Sequence, residues 1–135
     1  MTTIIATRTA LYADTLCTST SIFNVTKLAR IGESIYGGAG DFEEIQFFLE
    51  WRRGKEKPEF PDTADFYVIE LNKKGICLWG TRLSPMYLKD KIYAIGSGAQ
   101  FALGAIAYGA TPQEAIKIAA KYDTGTRAPF EIMEL

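Results

Sequence analysis

The sequence contains no histidine among its 135 residues. A hydrolase without histidine cannot use a Ser-His-Asp triad or a Cys-His pair, so its base must be a carboxylate, a lysine or an α-amino group. The two cysteines, Cys17 and Cys77, cannot complete the ligand set of a typical zinc or iron site. We therefore predict no metal and no cofactor, and we interpret both cysteines as small core residues.

Long apolar runs and strong net charge are also missing. No apolar run approaches the roughly 20 residues of a membrane helix, and the N-terminus lacks the charged-then-apolar pattern of a secretory signal. The net charge of -1 gives no electrostatic reason to expect a nucleic-acid or membrane partner. With 47% hydrophobic residues, the chain predicts a cytoplasmic globular protein, folded as a single domain over residues 1–135.

Strand-like segments dominate what is present. Alternating or β-branched patterns predict strands over residues 3–8, 11–14, 25–31, 34–36, 66–71, 75–79, 86–88, 92–95 and 129–135. One helix separates the early strands from the later ones, and two helices precede the last strand. Two antiparallel sheets enclosed by helix layers would bury every apolar face. The expected fold is therefore α+β, a shortened four-layer αββα sandwich.

Helix boundaries carry clear local signals. Asp41 with Glu44 predicts a capping box at the start of the first helix, and Gly54 a stop at its end. The run from Gly37 to Gly40 predicts the end of the preceding strand. The proline-bearing segment 53–65 predicts a loop. Another helix has Thr111 as its cap, Pro112 at its first position and Glu114 as capping-box partner, with a buried stripe of Ile116, Ala119 and Ala120.

The N-terminus offers a base that needs no histidine. The small side chain of Thr2 allows methionine aminopeptidase to remove Met1, leaving a threonine whose hydroxyl can attack a carbonyl while its α-amino group takes the proton. Many unrelated proteins also begin Met-Thr. Lys27, in a predicted strand, is either an outward-facing residue or a partly buried ammonium paired with Asp14 that lowers the pKa of the hydroxyl.

Four segments together resemble one protein family. They are Met1-Thr2-Thr3-Ile4-Ile5, the glycine turn Ile35–Gly40, the serine-bearing turn Ile92–Gly98 and the C-terminal stretch Ala115–Leu135. In this order they resemble the proteasome β-subunit and HslV family of N-terminal-nucleophile threonine peptidases. The resemblance spans nearly the whole chain, and it implies the sandwich fold described above.

The resemblance also implies a role for each matching position. Thr2 would be the nucleophile, with Asp14 and Lys27 tuning it. Ser97 would bond near the α-amine, and Asp123 with Thr126 matches the family's Asp-x-x-Ser arrangement. The Gly40 amide would donate to the oxyanion, and Gly38 would form the floor of the specificity pocket, leaving room for a large apolar side chain. These positions also have simpler interpretations: a strand-to-helix turn for 37–40, a helix cap for Ser97 and a helix-end turn residue for Asp123.

The function expected from this resemblance is hydrolysis of peptide bonds by Thr2 after removal of Met1. Its substrate would be a peptide or unfolded polypeptide, and the protein would form a homo-oligomer, with a ring as one possible arrangement. The sequence assigns no unfoldase ATPase partner. Two alternatives stay open: a catalytically silent structural or binding subunit, and an acylase that cleaves a small amide.

Overall fold

A computed structural model describes residues 2–135, and Met1, whose removal is predicted, lies outside the described residues. The fold is α+β with antiparallel sheets. The helices are α1 (Phe42–Arg52), α2 (Ala99–Ala107) and α3 (Pro112–Tyr122). The strands are β1 (Ile4–Ala6), β2 (Ala10–Ala13), β3 (Leu16–Thr18), β4 (Ile22–Asn24), β5 (Leu28–Ile31), β6 (Ser34–Gly40), β7 (Phe66–Asn72), β8 (Gly75–Trp79), β9 (Met86–Tyr87), β10 (Tyr93–Ile95) and β11 (Glu131–Glu134). Within residues 2–135, no helix is long and apolar enough to cross a membrane.

The strands form two larger sheets and one hairpin. One sheet has four strands in the order β10-β1-β2-β11, and the other has five in the order β5-β6-β7-β8-β9. Strands β3 and β4 form a separate two-stranded hairpin. Every pairing is antiparallel, and β1 lies between β2 and β10, with Ile4 opposite both Ala13 and Ile95. The segment that follows Thr2 is therefore held from both sides.

Three apolar clusters fill the interior. The first lies between the two sheets and includes Ile4, Leu11, Ile35 and Ile69. The second packs α1 on the five-stranded sheet, and the third packs α2 and α3 on the four-stranded sheet. Neighbours Ile4 and Ile5 belong to different clusters because successive side chains of a strand point to opposite faces.

Aromatic packing fixes α1. Phe48 is fully buried and makes edge-to-face contacts with Tyr36, Phe66 and Trp79. Burial of such a side chain stabilises the fold by about 2 kcal/mol. Cys77 belongs to this cluster, and burial raises the pKa of its thiol to about 11. Cys17 is only half-buried, so the core interpretation holds for Cys77 alone.

The two predicted capping boxes have different outcomes. At α3 the Glu114 amide donates to the Thr111 hydroxyl and the Thr111 amide to the Glu114 carboxylate, which confirms the prediction. At α1 the prediction is wrong, because the Asp41 side chain makes no cap bond and accepts from the Asp65 amide instead. The helix still begins after Asp41. Gly54 adopts a positive φ of 101° just beyond its end.

The glycine run does not terminate a strand. Strand β6 continues through Gly37 and Gly38 to Gly40, so the prediction of a turn over 37–40 is wrong. A Cβ at Gly37 would lie 2.9 Å from the Ile4 side chain, and one at Gly38 would lie 2.7 Å from Ile45. Glycine is therefore required here for close packing on both faces of the strand.

The segment before β5 also differs from the prediction. The expected strand over 25–31 is shorter, and Lys27 lies in an irregular segment just before Leu28. The hairpin of β3 and β4 lies upstream and was not predicted. All three residues of its second strand are exposed, so no alternation between buried and exposed residues marks it in the sequence.

Candidate active site

The hydroxyl of Thr2 lies against the ammonium of Lys27. The distance from Lys27 Nζ to Thr2 Oγ1 is 2.8 Å, and Lys27 Nζ lies 2.9 Å from Asp14 Oδ1. The Lys27 side chain is only 5% exposed, and that of Asp14 is fully buried. Of the two interpretations of Lys27, the structure supports the buried ammonium paired with Asp14.

Burial and charge act on Lys27 in opposite directions. Burial disfavours the ammonium form and Asp14 favours it, and the balance lowers the pKa of Lys27 from its ordinary value. A cation at 2.8 Å from a hydroxyl oxygen stabilises the alkoxide more than the neutral alcohol. Lys27 can therefore lower the pKa of the Thr2 hydroxyl.

Asp14 is held by the backbone around it. Its Oδ1 accepts from the Thr3 amide at 3.0 Å, and its Oδ2 accepts from the amides of Leu16 and Arg127, both at 3.2 Å. These three N–H donors keep the carboxylate in a fixed orientation. Asp14 thus positions Lys27.

The backbone nitrogen of Thr2 lies beside a second polar chain. Thr2 N donates to Ser97 Oγ at 3.2 Å, and Ser97 Oγ donates to Asp123 Oδ2 at 2.7 Å. The same carboxylate oxygen accepts from Thr126 Oγ1 at 2.6 Å. Burial opposes ionisation of Asp123, but the bonds from Thr126 and Ser97 outweigh it and lower the pKa of the carboxyl.

Thr3 completes this chain and was not singled out from the sequence. Its fully buried hydroxyl lies 2.6 Å from Thr126 Oγ1. Because the Thr126 hydroxyl proton is used toward Asp123, Thr3 must be the donor in this bond. The Arg127 amide beside Asp14 was missed as well. A buried threonine in a β-branched strand gives no sequence signal that separates it from an ordinary core residue.

Glycine backbones close around Thr2. Gly98 N donates to the Thr2 carbonyl at 3.3 Å, and a Cβ at Gly98 would lie 2.0 Å from Thr3 Oγ1. Gly40 has a φ of 118°, and a Cβ there would lie 2.3 Å from the Asp65 carbonyl oxygen. Both positions therefore admit only glycine without rearrangement.

Two cavities open near the contact between Thr2 and Lys27. One, of about 330 Å³, is lined by Thr2, Gly40 and Ser97 together with Asp65, Phe66 and Tyr67. The other, of about 240 Å³, lies between Lys27 and α1, and Gly38 lines it. The Ile45 side chain lies 2.7 Å from the position of a Cβ at Gly38, so glycine allows α1 to approach the sheet here. The role of Gly38 as the floor of a specificity pocket stays a prediction.

The seven residues predicted to be catalytic are thus brought to one place. Thr2, Lys27 and Asp14 form one hydrogen-bonded group, and Ser97, Asp123 and Thr126 form another at the Thr2 nitrogen. Gly40 lines the cleft in front of Thr2. Residues 2–135 contain no group of three or more His, Cys, Asp or Glu residues that could hold a metal ion.

A second buried carboxylate lies away from this site. Glu70 accepts hydrogen bonds from Ser34 at 2.6 Å, Tyr36 at 2.9 Å and Trp79 at 3.0 Å. Burial by itself would raise the pKa of Glu70. The three hydrogen bonds and the nearby Arg52 guanidinium outweigh this effect, and the net result is a pKa below the ordinary value. The cluster is fully satisfied, and it joins α1 to the five-stranded sheet.

The fold is that of HslV-like and proteasome-like peptidases. Thiobacillus denitrificans BPH matches with a TM-score of 0.75 and 19% identity over 99% of this chain and 96% of that chain. Its complex with epoxomicin matches with a TM-score of 0.74 and 18% identity over 99% and 97%. Eukaryotic HslV from Trypanosoma brucei matches with a TM-score of 0.74 and 20% identity over 98% of each chain.

Sequence comparison adds no closer relation. No protein-family model matches the chain, and no curated protein is similar enough in sequence to match. The resemblance seen in the four sequence segments is therefore confirmed at the level of the fold.

Proposed function

We propose that the protein is a threonine-type peptidase, which hydrolyses peptide bonds with Thr2 as its N-terminal nucleophile after removal of Met1. The observation that carries the proposal is the contact of 2.8 Å between Lys27 Nζ and Thr2 Oγ1. The ion pair of Lys27 with Asp14 holds the ammonium in this position. The shared fold with BPH and HslV supports the same class of activity.

In the first step the Thr2 hydroxyl attacks the carbonyl carbon of the scissile bond. Its proton passes to the free α-amine, whose ordinary pKa is about 8. Lys27 stabilises the developing alkoxide, and the Gly40 amide is proposed to donate to the oxyanion. The C–N bond then breaks, the leaving nitrogen takes the proton from the α-amine, and an acyl ester forms on Thr2.

In the second step water hydrolyses the ester. The α-amine takes a proton from water, the hydroxide adds to the ester carbonyl, and the C–O bond to Thr2 breaks. The Thr2 oxygen recovers the proton, and a carboxylic acid is released. Ser97 and Asp123 position the amine in both steps, because Ser97 Oγ lies 3.2 Å from Thr2 N.

The decisive experiment combines intact mass with active-site labelling. The intact mass of protein produced in a normal host is measured before and after treatment with the peptide epoxyketone epoxomicin. Peptide mass spectrometry then locates the modified residue. We expect loss of Met1 and one adduct, located on Thr2. Thr2→Ala should prevent the adduct, whereas Thr9→Ala, a threonine exposed at the turn between β1 and β2, should leave it unchanged.

Retained Met1 and no adduct would contradict the peptidase and favour the catalytically silent structural or binding subunit. An adduct together with cleavage of small acyl amides, but not of peptides, would favour the acylase. The intact mass, the epoxomicin adduct and the cleavage assays therefore distinguish the three functions, and all can be measured on one protein preparation.

The proposed layer order is α1, the five-stranded sheet, the four-stranded sheet, and α2 with α3, which gives the four-layer sandwich. The packing of the three apolar clusters supports this order.

We propose a homo-oligomer that encloses its sites, with a ring as one form. Large apolar side chains are exposed and could be covered in such an assembly: Ile22, Phe23, Met86 and Tyr87. Native mass spectrometry tests this, and a monomer at working concentration would contradict it.

A further inference from the structure

Asp41 lies where strand β6 ends and helix α1 begins. Its backbone carbonyl accepts from the Ile45 amide at 3.0 Å, which is the first hydrogen bond of the helix. Its backbone amide still belongs to the sheet and donates to the Asp65 carbonyl at 2.9 Å. The helix therefore uses the carbonyl that would otherwise continue the ladder between β6 and β7.

The carboxylate of Asp41 takes the place of that carbonyl in the ladder. The Asp65 amide donates to Asp41 Oδ2 at 2.8 Å, so the N–H and the C=O of Asp65 both bond to Asp41. Opposite residues of an antiparallel ladder exchange two bonds in this way, and here a side-chain oxygen supplies one of the acceptors. We call these two bonds the Asp41–Asp65 clasp. It closes the ladder one residue beyond the pair of Gly40 and Phe66.

The Gly40 amide is directed out of this ladder. Bonded and non-bonded pairs alternate in an antiparallel ladder, so Gly40, next to the bonded Asp41, belongs to a pair whose N–H groups point away from the partner strand. On the other side of β6, the register with β5 covers Ser34–Gly37 and does not reach Gly40. Gly40 is exposed, and it lines the cleft together with Thr2. Its N–H therefore leaves the sheet at a residue that borders the cleft.

The conformation of Gly40 depends on the clasp. With a φ of 118° and no side chain, Gly40 has little of its own to fix the direction of its peptide group. The neighbour that limits it is the Asp65 carbonyl oxygen, which would lie 2.3 Å from a Cβ at Gly40. The same oxygen accepts from the Asp41 amide. The clasp therefore holds the group against which Gly40 packs.

We propose that Asp41 is a positioning residue for the oxyanion donor: its carboxylate, acting through Asp65, keeps the Gly40 amide directed at the oxygen of the tetrahedral intermediate. The inference rests on the proposed peptidase function, in which the Gly40 amide donates to that oxygen. Among the described residues, Gly40 and Asp65 line the cleft and Asp41 does not, so Asp41 acts through its neighbours.

The test compares turnover with the binding of a transition-state analogue, a peptide aldehyde. The Thr2 hydroxyl adds to the aldehyde carbon, its proton passes through the α-amine to the former carbonyl oxygen, and a hemiacetal forms with no leaving group. That oxygen lies where the oxyanion of a peptide substrate develops. For Asp41→Ala we expect kcat for a fluorogenic peptide of the same sequence to fall about tenfold and Ki of the aldehyde to rise about tenfold, with KM nearly unchanged.

Two further variants separate the hydrogen bond from the start of the helix. Asp41→Asn keeps a side-chain oxygen that accepts from the Asp65 amide, and it should restore kcat and Ki to within about threefold of the wild type. Asp41→Ser keeps a residue that favours the helix N-cap, but its hydroxyl is one bond shorter, so it should resemble Asp41→Ala in kcat and Ki while remaining folded. Glu43→Ala removes an exposed carboxylate from the first turn of the same helix; it is the matched control and should change none of the three constants.

The remaining outcomes contradict the inference and differ from one another. If the wild-type protein neither cleaves the peptide nor binds the aldehyde, the peptidase function fails and this inference fails with it. If the wild type is active and Asp41→Ala and Asp41→Ser keep its kcat and Ki, the clasp does not position the amide. If Asp41→Asn is as slow as Asp41→Ala, the charge of Asp41 matters and its bond to Asp65 does not.

Discussion

Gly96 lies with its α-carbon directly against the carbonyl of Thr2. A Cβ at Gly96 would be 2.0 Å from the Thr2 oxygen, and the φ of Gly96 is 100°. Gly109 has nearly the same φ, 102°, but nothing lies within 4 Å of its Cβ position. Both glycines therefore adopt a positive φ that disfavours other residues, and only at Gly96 would a Cβ also clash with a neighbouring atom.

This pair gives a controlled test of how tightly Thr2 is held. Alanine at either position costs about 1–2 kcal/mol of stability for the positive φ. We expect Gly96→Ala also to displace Thr2 and to reduce epoxyketone labelling at least tenfold, measured as the labelling rate on folded protein. Gly109→Ala should keep the wild-type rate. Equal labelling in both variants would show that the position of Thr2 tolerates the shift.

Removal of the Lys27 ammonium should lower the rate of epoxyketone labelling of Thr2 strongly and leave the protein folded. Lys27→Met keeps the length of the side chain but removes the charge that lies 2.8 Å from Thr2 Oγ1. We expect labelling to fall by about 10²–10³-fold, as when a single charge-stabilising donor is lost. Circular dichroism should show a folded protein, because three backbone amides still satisfy Asp14.

Lys91→Met, at an exposed lysine, is the matched control. Its labelling should equal that of the wild type. Labelling of Lys27→Met at the wild-type rate would remove this lysine from the mechanism.

Ser97→Ala tests the polar chain at the Thr2 nitrogen. The substitution removes the acceptor at 3.2 Å from Thr2 N and one donor to Asp123. We expect a reduction of kcat by about tenfold to one hundredfold, the range for loss of a residue that supports a general base. KM for a peptide substrate should change less than kcat. Ser97 does not cap α2, whose N-cap is Gly98 without a side-chain cap bond. A variant whose pH profile and kcat match the wild type would therefore show that Ser97 does not support the general base.

Glu70→Gln tests the carboxylate cluster beneath α1. The pKa of Glu70 in the folded state lies below its unfolded value, so its contribution is complete above the ordinary carboxyl pKa of about 4.3 and is lost as pH falls through the folded value. We expect Glu70→Gln to lose about 2 kcal/mol at pH 7, since glutamine cannot accept all the bonds from Ser34, Tyr36 and Trp79.

Urea unfolding between pH 7 and pH 3 measures the effect. The wild type should lose stability more steeply than Glu70→Gln as the solution is acidified. Glu59→Gln, at an exposed loop position, should follow the wild type. Parallel curves for Glu70→Gln and the wild type would contradict the lowered pKa.

Local signals predicted local structure where the interacting residues are close in the sequence. The capping box of α3 was predicted from Thr111, Pro112 and Glu114, because all of its bonds join residues three apart. The run Gly37–Gly40 was misassigned to a turn, since only the packed structure shows that Ile4 and Ile45 occupy the missing Cβ positions. The Asp41 side chain makes no cap bond for a similar reason, because its carboxylate accepts from the amide of Asp65, which is distant in sequence.

The sequence predicted the residues of the candidate site and two of their contacts, Lys27 with Asp14 and Ser97 near the Thr2 nitrogen. It did not predict the contacts of Thr3 or of the Arg127 amide. Neither spacing nor composition predicts that Thr3 would donate to Thr126, 123 positions away. Likewise, Lys27 was assigned to a strand, although it lies just before β5 and from there reaches both Asp14 and Thr2. Long-range partners of this kind depend on sheet register, which local patterns do not fix.

The groups around Thr2 come from segments that only the completed fold brings together. Asp14 follows β2, Lys27 precedes β5, Ser97 follows β10 and Thr126 follows α3. A chain that is only partly folded therefore lacks the contacts of Lys27 and Ser97 with Thr2. For the proposed peptidase, cleavage of another chain would require the complete fold.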